Sequence, residues 1–301
     1  MKYFVFKIAL FFFTILLSII FLIDKRTSFF VQDFKSATGK YDIVNLGTSH
    51  GGGIKYDVIN DSVFRGHGFQ RAGNTLYYDL QNYKFLKPYL KKEAIVIIPL
   101  SYFSFGLDEN RTDYRDPSSF VNEFYFYLPK ESIYNYTHRK KVEAYLNKAK
   151  ANYNSVVNER FFIREPSPAS LLNIHEHVDF AVQKHRRMGD YSDSEKNVAY
   201  LGALLEDILQ NNFKPVILTT PYFEGYNSQF GDVWLKANYY DFIDLILKKY
   251  DVKYLNYSND QRISNNVNLF HNSDHLNQKG ARYFSRILFQ DLKDLGILKR
   301  E

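Results

Sequence analysis

The chain has 301 residues, enough for one large domain or two small ones, and long enough to bury a sizeable core. Its formal net charge of +6 is dispersed, without the basic run of a nucleic-acid tail, so nucleic acid is not an expected partner. The absence of cysteine excludes disulfides and thiolate metal sites. The 25 tyrosines suit a surface that binds polar ligands such as sugars, with compositional drift as the alternative.

The N-terminal segment MKYFVFKIALFFFTILLSIIFLIDKRTSFF predicts a membrane anchor. Residues 8 to 23 carry no charge, and the apolar stretch reaches about 20 residues if Lys7 snorkels. A cleaved signal peptide is the alternative, but no small-x-small cleavage site follows the apolar run. We therefore expect one transmembrane helix within residues 1–30 and one soluble domain in residues 31–301. Basic residues on both sides of the segment leave its orientation open.

Beyond the anchor, short runs rich in β-branched residues alternate with segments of helical periodicity. The predicted strands cover residues 41–47, 93–103, 214–223 and 252–258. The predicted helices cover residues 75–90, 195–212, 238–250 and about 278–295. Strands that alternate with helices predict a parallel sheet covered on both faces, which is a three-layer α/β/α domain.

One interval, about 104–194, departs from this alternation. It contains a charged helix-like stretch and aromatic, proline-containing segments, but no buried strand. We expect a mostly helical insertion at the carboxyl edge of the sheet, where α/β domains bind ligands. It is either a lid that sets specificity or a peripheral decoration that covers apolar surface.

The first strand ends in YDIVNLGTSHGGG, which places Ser49 just before three glycines. Glycine lets the backbone turn sharply and lets a substrate approach closely, so the loop could present Ser49 as a nucleophile. A simple turn is the competing interpretation, because a serine nucleophile also needs a base. His50, which follows it, is expected to pack or hydrogen-bond locally.

A candidate base occurs near the end of the chain, in LFHNSDHLNQKGARYFSRIL. His275 lies in a polar loop before an amphipathic helix, with Asn277 as its predicted cap. If the strands are parallel, this loop and the Ser49 loop meet at the same edge of the sheet. The pairing with Ser49 is what favours a catalytic histidine over an ordinary surface residue.

Together, NLGTSHG and DHLNQKGARYFS resemble the first and last sequence blocks of the SGNH, or GDSL-type, hydrolase superfamily, over roughly residues 41 to 295. The resemblance implies a flavodoxin-like domain in which Ser49 is the nucleophile and His275 the base. It also implies an oxyanion hole built from the N–H groups of Ser49 and Gly73.

Two departures from that pattern concern the site. The third block, Gly-x-Asn-Asp, is missing, so Ser101 or Asn74 is the candidate for the remaining oxyanion donor. The acid expected three residues before the histidine is replaced by Asn272, while Asp274 lies directly beside His275. We keep both as candidate partners of His275, and a Ser-His dyad remains an alternative.

Membrane anchoring of a tyrosine-rich domain resembles envelope-anchored members of this superfamily, often found beside a membrane-bound O-acyltransferase. It implies an extracytoplasmic esterase or O-acetyltransferase that acts on acyl esters of cell-envelope glycans. The alternative is a non-catalytic, membrane-tethered scaffold or glycan-binding protein with a degenerate site, which Asn272 favours.

No cofactor and no metal are expected. His175 and His177 are two residues apart around Glu176, but they lack a further placed ligand, so we expect them in an exposed loop. The SHGGGIK stretch lacks the Gly-Lys-Ser/Thr ending of a phosphate-binding loop, which argues against nucleotide binding.

Overall fold

A computed structural model describes residues 3–18, 39–59, 64–70, 73–107, 173–190 and 194–298. The chain divides into two units, Met1–Thr38 with Arg115–Glu165, and Gly39–Tyr114 with Pro166–Glu301. The sheet and all the candidate site residues belong to the second unit.

The second unit is built on one sheet of five parallel strands. They are β1 (Tyr41–Asn45), β2 (Gly66–Gly68), β3 (Leu90–Pro99), β4 (Lys214–Thr219) and β5 (Lys253–Asn256). Their spatial order is β2-β1-β3-β4-β5, the doubly wound order of flavodoxin-like sheets. The expected parallel α/β sheet is therefore confirmed. The direction of the connections reverses between β1 and β3, which is where such sheets bind their ligands.

The helices of the described chain begin with α1 at residues 3–18. The longer helices that follow are α2 (Leu76–Leu86), α3 (Asn173–Gly189), α4 (Ser194–Gln210), α5 (Asp241–Lys249) and α6 (Gln278–Asp294), with two short helices, Glu224–Asn227 and Asp232–Leu235, between α4 and α5. Helix α4 packs against α2 and α5, whereas α6 packs against the short turns that follow β1. These two groups of helices cover the sheet.

Burial explains the strand pattern at the centre of the sheet. Ile43 and Val44 of β1 and Val96 and Ile97 of β3 are fully buried. Each such side chain stabilises the fold by about 1.5–3 kcal/mol relative to an exposed position. Because both faces are covered, these strands read as continuous apolar runs rather than as alternating ones.

Strand β2 was not predicted from the sequence. Its three residues, Gly66, His67 and Gly68, pair with Ile43, Val44 and Asn45 of β1. A strand so short and so poor in apolar residues leaves no periodic signal. Its glycines are required by packing, since a Cβ at Gly66 would lie 2.0 Å from the Tyr56 ring.

The expected insertion is described only at its ends. Residues 108–172 and 191–193 lie outside the described residues, and the part described, α3, is helical. The prediction of a loop around His175 and His177 is wrong, because the backbone is helical from Asn173 onward. That helix brings His185 against the ring of Phe103, at 4.4 Å between centroids, near the end of β3.

Residues 1–2 and 19–30 of the predicted anchor also lie outside the described residues. Among those described, α1 included, no helix combines the length and apolar character needed to cross a membrane.

Candidate active site

The loop after β1 delivers Ser49 to the carboxyl edge of the sheet. Gly47 has a φ of +94°, which L side chains rarely adopt, and a Cβ there would lie 2.7 Å from the Pro99 carbonyl oxygen. Thr48 then caps a short 3₁₀ turn, Ser49–Gly53, by accepting a hydrogen bond from the His50 N–H. Ser49 is therefore the first residue of a turn that is fixed at its start.

The glycines after Ser49 allow neighbouring parts of the protein to pack closely against this turn. A Cβ at Gly51 would lie 2.9 Å from the Leu46 carbonyl oxygen, and one at Gly53 would touch Leu276. The sequence had suggested that these glycines admit a substrate. At Gly51 and Gly53 the close approach is made by the protein itself.

His275 lies in the loop between β5 and α6. A bridge between Phe270 and Leu276 closes this loop, and Asn277 caps α6 by accepting a hydrogen bond from the Gly280 N–H. The closed loop holds the His275 ring at the edge where β1 ends. His275 Nε2 lies 2.8 Å from Ser49 Oγ, within hydrogen-bond reach.

Two acceptors face the other nitrogen of that ring. Nδ1 of His275 lies 3.1 Å from Asn272 Oδ1 and 3.1 Å from Asp274 Oδ2. The Asn272 oxygen is identified by the backbone N–H groups of Asp274 and His275, which donate to it at 3.2 and 2.8 Å. Facing two acceptors, Nδ1 carries the proton, so the lone pair of Nε2 is left to accept from Ser49.

Asp274 is buried and stays ionised. Burial by itself raises the pKa of its carboxyl group, but hydrogen bonds and charges from His275 and His50 outweigh this and hold the pKa well below its usual range. The oxygen that faces His275 also lies 2.9 Å from His50 Nε2. One carboxylate oxygen therefore joins two imidazole rings, whose centroids lie 4.6 Å apart.

The sequence did not predict the contact that His50 makes with Asp274. The expected local hydrogen bond of His50 is present, since its backbone N–H donates to Thr48, but its ring also bonds a residue 224 positions away. Its Nδ1 lies 2.6 Å from Ser101 Oγ, which in turn lies 3.0 Å from Thr48 Oγ1. The position of His50 was the available signal, because a polar ring that directly follows Ser49 at the sheet edge requires a hydrogen-bond partner if it is buried.

The oxyanion candidates divide into two kinds. The side-chain donors are engaged elsewhere: the Asn74 amide donates to Asp79 and the Gly47 carbonyl, and Ser101 is hydrogen-bonded to His50. The backbone N–H groups of Ser49 and Gly73 make no hydrogen bond within the described part of the chain. These two backbone groups are therefore the oxyanion candidates that have no other hydrogen-bond partner among the described residues.

Asp79, which no sequence motif indicates, supports this region from α2. Its Oδ1 accepts the Gly47 N–H at 2.8 Å as well as the Asn74 amide. Burial raises the pKa of Asp79 to about 7, and the bond from Gly47 offsets only part of that rise. Asp79 thus links the loop before Ser49 to the segment that carries Gly73.

His50, Asp274 and His275 offer three potential metal ligands within 4.8 Å of one another. Their hydrogen bonds already account for this closeness, since Asp274 Oδ2 faces one N–H from each ring. A cation would have to displace both protons from a site that is largely buried. The donor set therefore fits a hydrogen-bonded cluster better than a metal centre.

No protein-family model matches the sequence, and no curated protein shows significant sequence similarity to it. Among solved structures, the chain is similar to a GDSL-like lipase from Bacteroides thetaiotaomicron VPI-5482 at 10% identity and a TM-score of 0.39. That likeness covers 84% of this chain and 88% of the lipase. A likeness at this level assigns neither family nor activity.

Proposed function

We propose that the protein is a serine-dependent acyl-transfer enzyme, an esterase or an O-acetyltransferase. The observation that carries the proposal is the hydrogen-bonded pair of Ser49 Oγ and His275 Nε2 at 2.8 Å, with a carboxylate behind the ring. A hydroxyl next to an imidazole whose tautomer is fixed by a carboxylate is the arrangement that activates a serine nucleophile. Ser49 and His275 are half-buried, so a substrate can reach them.

The first half of the reaction forms an acyl-enzyme. Ser49 Oγ attacks the ester carbonyl while its proton passes to His275 Nε2, and Asp274 stabilises the resulting imidazolium. The N–H groups of Ser49 and Gly73 stabilise the oxyanion. The ester C–O bond then breaks, and the leaving alcohol takes the proton from His275.

The second half returns Ser49 to its starting state. Water, or a sugar hydroxyl, gives its proton to His275 and attacks the acyl carbon. The Ser49–acyl bond breaks, and Ser49 Oγ regains the proton. Water as acceptor makes the enzyme an esterase, and a sugar hydroxyl makes it a transferase.

As substrates we propose acyl esters of cell-envelope glycans, with the N-terminal segment as a single-pass anchor and the domain outside the cytoplasm. The apolar side chains exposed on α1, such as Phe11, Phe12 and Leu16, favour a membrane-facing segment. A membrane-bound O-acyltransferase as donor of the acyl group is part of the same proposal.

Labelling of the full-length protein with a fluorophosphonate probe tests the activity. We expect the wild type to be labelled and Ser49→Ala to lose labelling, because the probe reacts with an activated serine hydroxyl. Ser228→Ala, which alters an exposed serine hydroxyl, is the matched control. A wild type that is not labelled would favour the non-catalytic scaffold or glycan-binding alternative. Acyl release to water, compared with transfer to an oligosaccharide acceptor, distinguishes the esterase from the transferase.

A further inference from the structure

The Ser49 loop and the His275 loop meet at two points. Ser49 Oγ contacts His275 Nε2 at 2.8 Å, and one residue later His50 Nε2 contacts Asp274 Oδ2 at 2.9 Å. Two consecutive residues of one loop therefore hold two consecutive residues of the other. The first contact contains the reacting atoms, and the second contains the acid.

His50 is itself held on its other side. The Ser101 hydroxyl lies 2.6 Å from its Nδ1, and the Thr48 hydroxyl lies 3.0 Å from Ser101 Oγ. The rings of Phe103 and Tyr222 lie 5.6 and 5.3 Å from the His50 ring, between centroids. The segments that follow β3 and β4 thus fix the orientation of His50, and Ser101 acts as its hydrogen-bond partner.

These contacts determine which nitrogen of His50 carries a proton. Asp274 is ionised and only accepts, so Nε2 of His50 is the donor, and Nδ1 accepts the Ser101 proton. Burial lowers the pKa of His50, and the charge of the neighbouring His275 lowers it further, against the hydrogen bond to Asp274. His50 therefore stays neutral when His275 takes the proton from Ser49.

Other titratable or charged groups that act on this pair come from the last loop, α3 and the segment after β4. They are His275, Lys184, His185, Tyr222 and Tyr226. The pKa of His185 is lowered to about 3 by burial, so this ring is neutral as well. Burial also keeps the two phenols protonated, since it raises the pKa of each. Asp274 is thus the acceptor that His50 and His275 share.

We infer that His50 is a positioning residue, an inference that rests on the proposed acyl transfer. Its Nε2–H holds the Asp274 carboxylate against Nδ1 of His275, and Ser101 and Thr48 hold His50 in the required orientation. This contact allows an acid adjacent to the base in sequence to replace the acid expected at position 272. The residue that follows the nucleophile thereby orients the partner of the base.

The first experiment compares two buried histidines of the full-length protein, with p-nitrophenyl acetate as the substrate probe. His50→Phe removes the donor to Asp274, whereas His185→Phe removes a neighbouring imidazole that does not contact Asp274. We expect His50→Phe to lower kcat by about 10- to 100-fold, the cost of leaving a buried charged acceptor without its donor. We expect KM to stay unchanged, because the His50 side chain is buried away from the surface that a substrate can reach.

The pH profile separates positioning from a general loss of packing. Without the His50 donor, the pKa of Asp274 rises, so the acid limb of kcat/KM moves to higher pH in His50→Phe. In His185→Phe, the acid limb of the kcat/KM profile should stay at the wild-type pH. His50→Gln, whose amide also offers a donor and an acceptor, recovers most of the lost kcat. An equal fall in both Phe variants with no shift of the limb would overturn the inference.

A second measurement does not depend on activity. ¹⁵N NMR of the labelled full-length protein reports the tautomer of each histidine, and we expect His50 to remain the neutral Nε2–H form from pH 5 to pH 8. A His50 that titrates in this range, or that carries its proton on Nδ1, would overturn its role even if Ser49 is active. Loss of the proposed function instead appears as a wild type that is no more active than Ser49→Ala.

Discussion

Asp274 and Asp79 are both buried carboxyl groups that support the loop after β1, yet their environments move their pKa values in opposite directions. Asp274 faces two imidazole rings, and its pKa is held well below the usual range. Among the described residues, the hydrogen bonds that Asp79 accepts come from the neutral amides of Gly47 and Asn74, and burial raises its pKa to about 7. Burial is similar, so the difference arises from the partners.

The difference in pKa matches two different roles for the two carboxyl groups at this edge of the sheet. A carboxyl group that must stabilise a transient imidazolium has to be ionised, and Asp274 has the donors that keep it so. A carboxyl group that only holds backbone in place functions through its acceptor oxygen in either protonation state. Asp79 holds the Gly47 loop in this second way.

The largest effect on kcat is expected at Ser49, the proposed nucleophile. Ser49→Ala should lower kcat on p-nitrophenyl acetate by on the order of 10⁶-fold, as loss of a serine nucleophile does elsewhere. Steady-state kinetics with the full-length protein measure this, and Ser228→Ala should match the wild type. Retained turnover in Ser49→Ala would place the chemistry on another residue.

The next largest effect on kcat is expected from replacing Asp274, and the same substitution at Asp79 gives a direct comparison. Asp274→Asn should lower kcat by about 10³-fold, because an amide does not stabilise the His275 imidazolium. The loss stays below the roughly 10⁴-fold cost of removing a sole acid, since Asn272 still accepts from Nδ1. Asp79→Asn is the matched substitution and should leave kcat close to that of the wild type. Similar losses in both variants would contradict the division of roles.

Replacing Asn272 is expected to lower kcat by less than replacing Asp274. Asn272→Ala removes one acceptor from His275 Nδ1 and the acceptor of two backbone N–H groups, while Asp274 remains. We expect a fall in kcat of about 10-fold, measured in the same assay. Asn272→Asp preserves all three acceptor contacts and should retain activity. If Asn272→Ala were as severe as Asp274→Asn, the acid role of Asp274 would not hold.

Asp79→Asn is expected to have the smallest effect on kcat, but it should change how the free energy of unfolding depends on pH. The pKa of Asp79 in the folded state, about 7, is above its unfolded value, so its protonated form favours folding. This contribution is complete below about pH 4 and is lost as the pH rises through about 7, by up to about 4 kcal/mol. Asp79→Asn cannot titrate, so its free energy of unfolding should rise relative to the wild type from pH 4 to pH 8.

Denaturant unfolding of both full-length proteins at pH 5 and pH 8 measures this change. His185, whose lowered pKa has the opposite effect on stability, is present in both proteins and cancels in the comparison. A constant difference between the two proteins across this range would show that Asp79 is ionised throughout.

Much of the fold follows from local sequence. The runs at β1, β3 and β4 are continuous and apolar because both faces of the sheet are covered, and this pattern is readable without a structure. Strand β2 cannot be predicted from local sequence, because two of its three residues are glycines. These residues form a strand by pairing with the open edge of β1. Its position is a property of the sheet rather than of the segment.

The candidate site likewise contains residues that the sequence predicts and a contact that it does not. Ser49 and His275 follow from a hydroxyl after one predicted strand and an imidazole before one predicted helix, because parallel strands end at the same edge. The contact between Asp274 and His275 did not follow, since adjacent side chains rarely orient one another well. What makes it possible is His50, which is buried and bonded to Ser101 in the segment after β3.

The sequence by itself determined the parallel α/β domain, the order of its elements apart from β2, and the two residues at the centre of the proposed chemistry. These depend on periodicity and on position relative to strand ends, which are local properties. The tertiary structure decided which acceptors face His275, that Asn74 and Ser101 bind neighbours instead of an oxyanion, and that His50 and Asp79 support the site. Those outcomes depend on hydrogen bonds between residues far apart in the chain, and burial makes each of these bonds necessary.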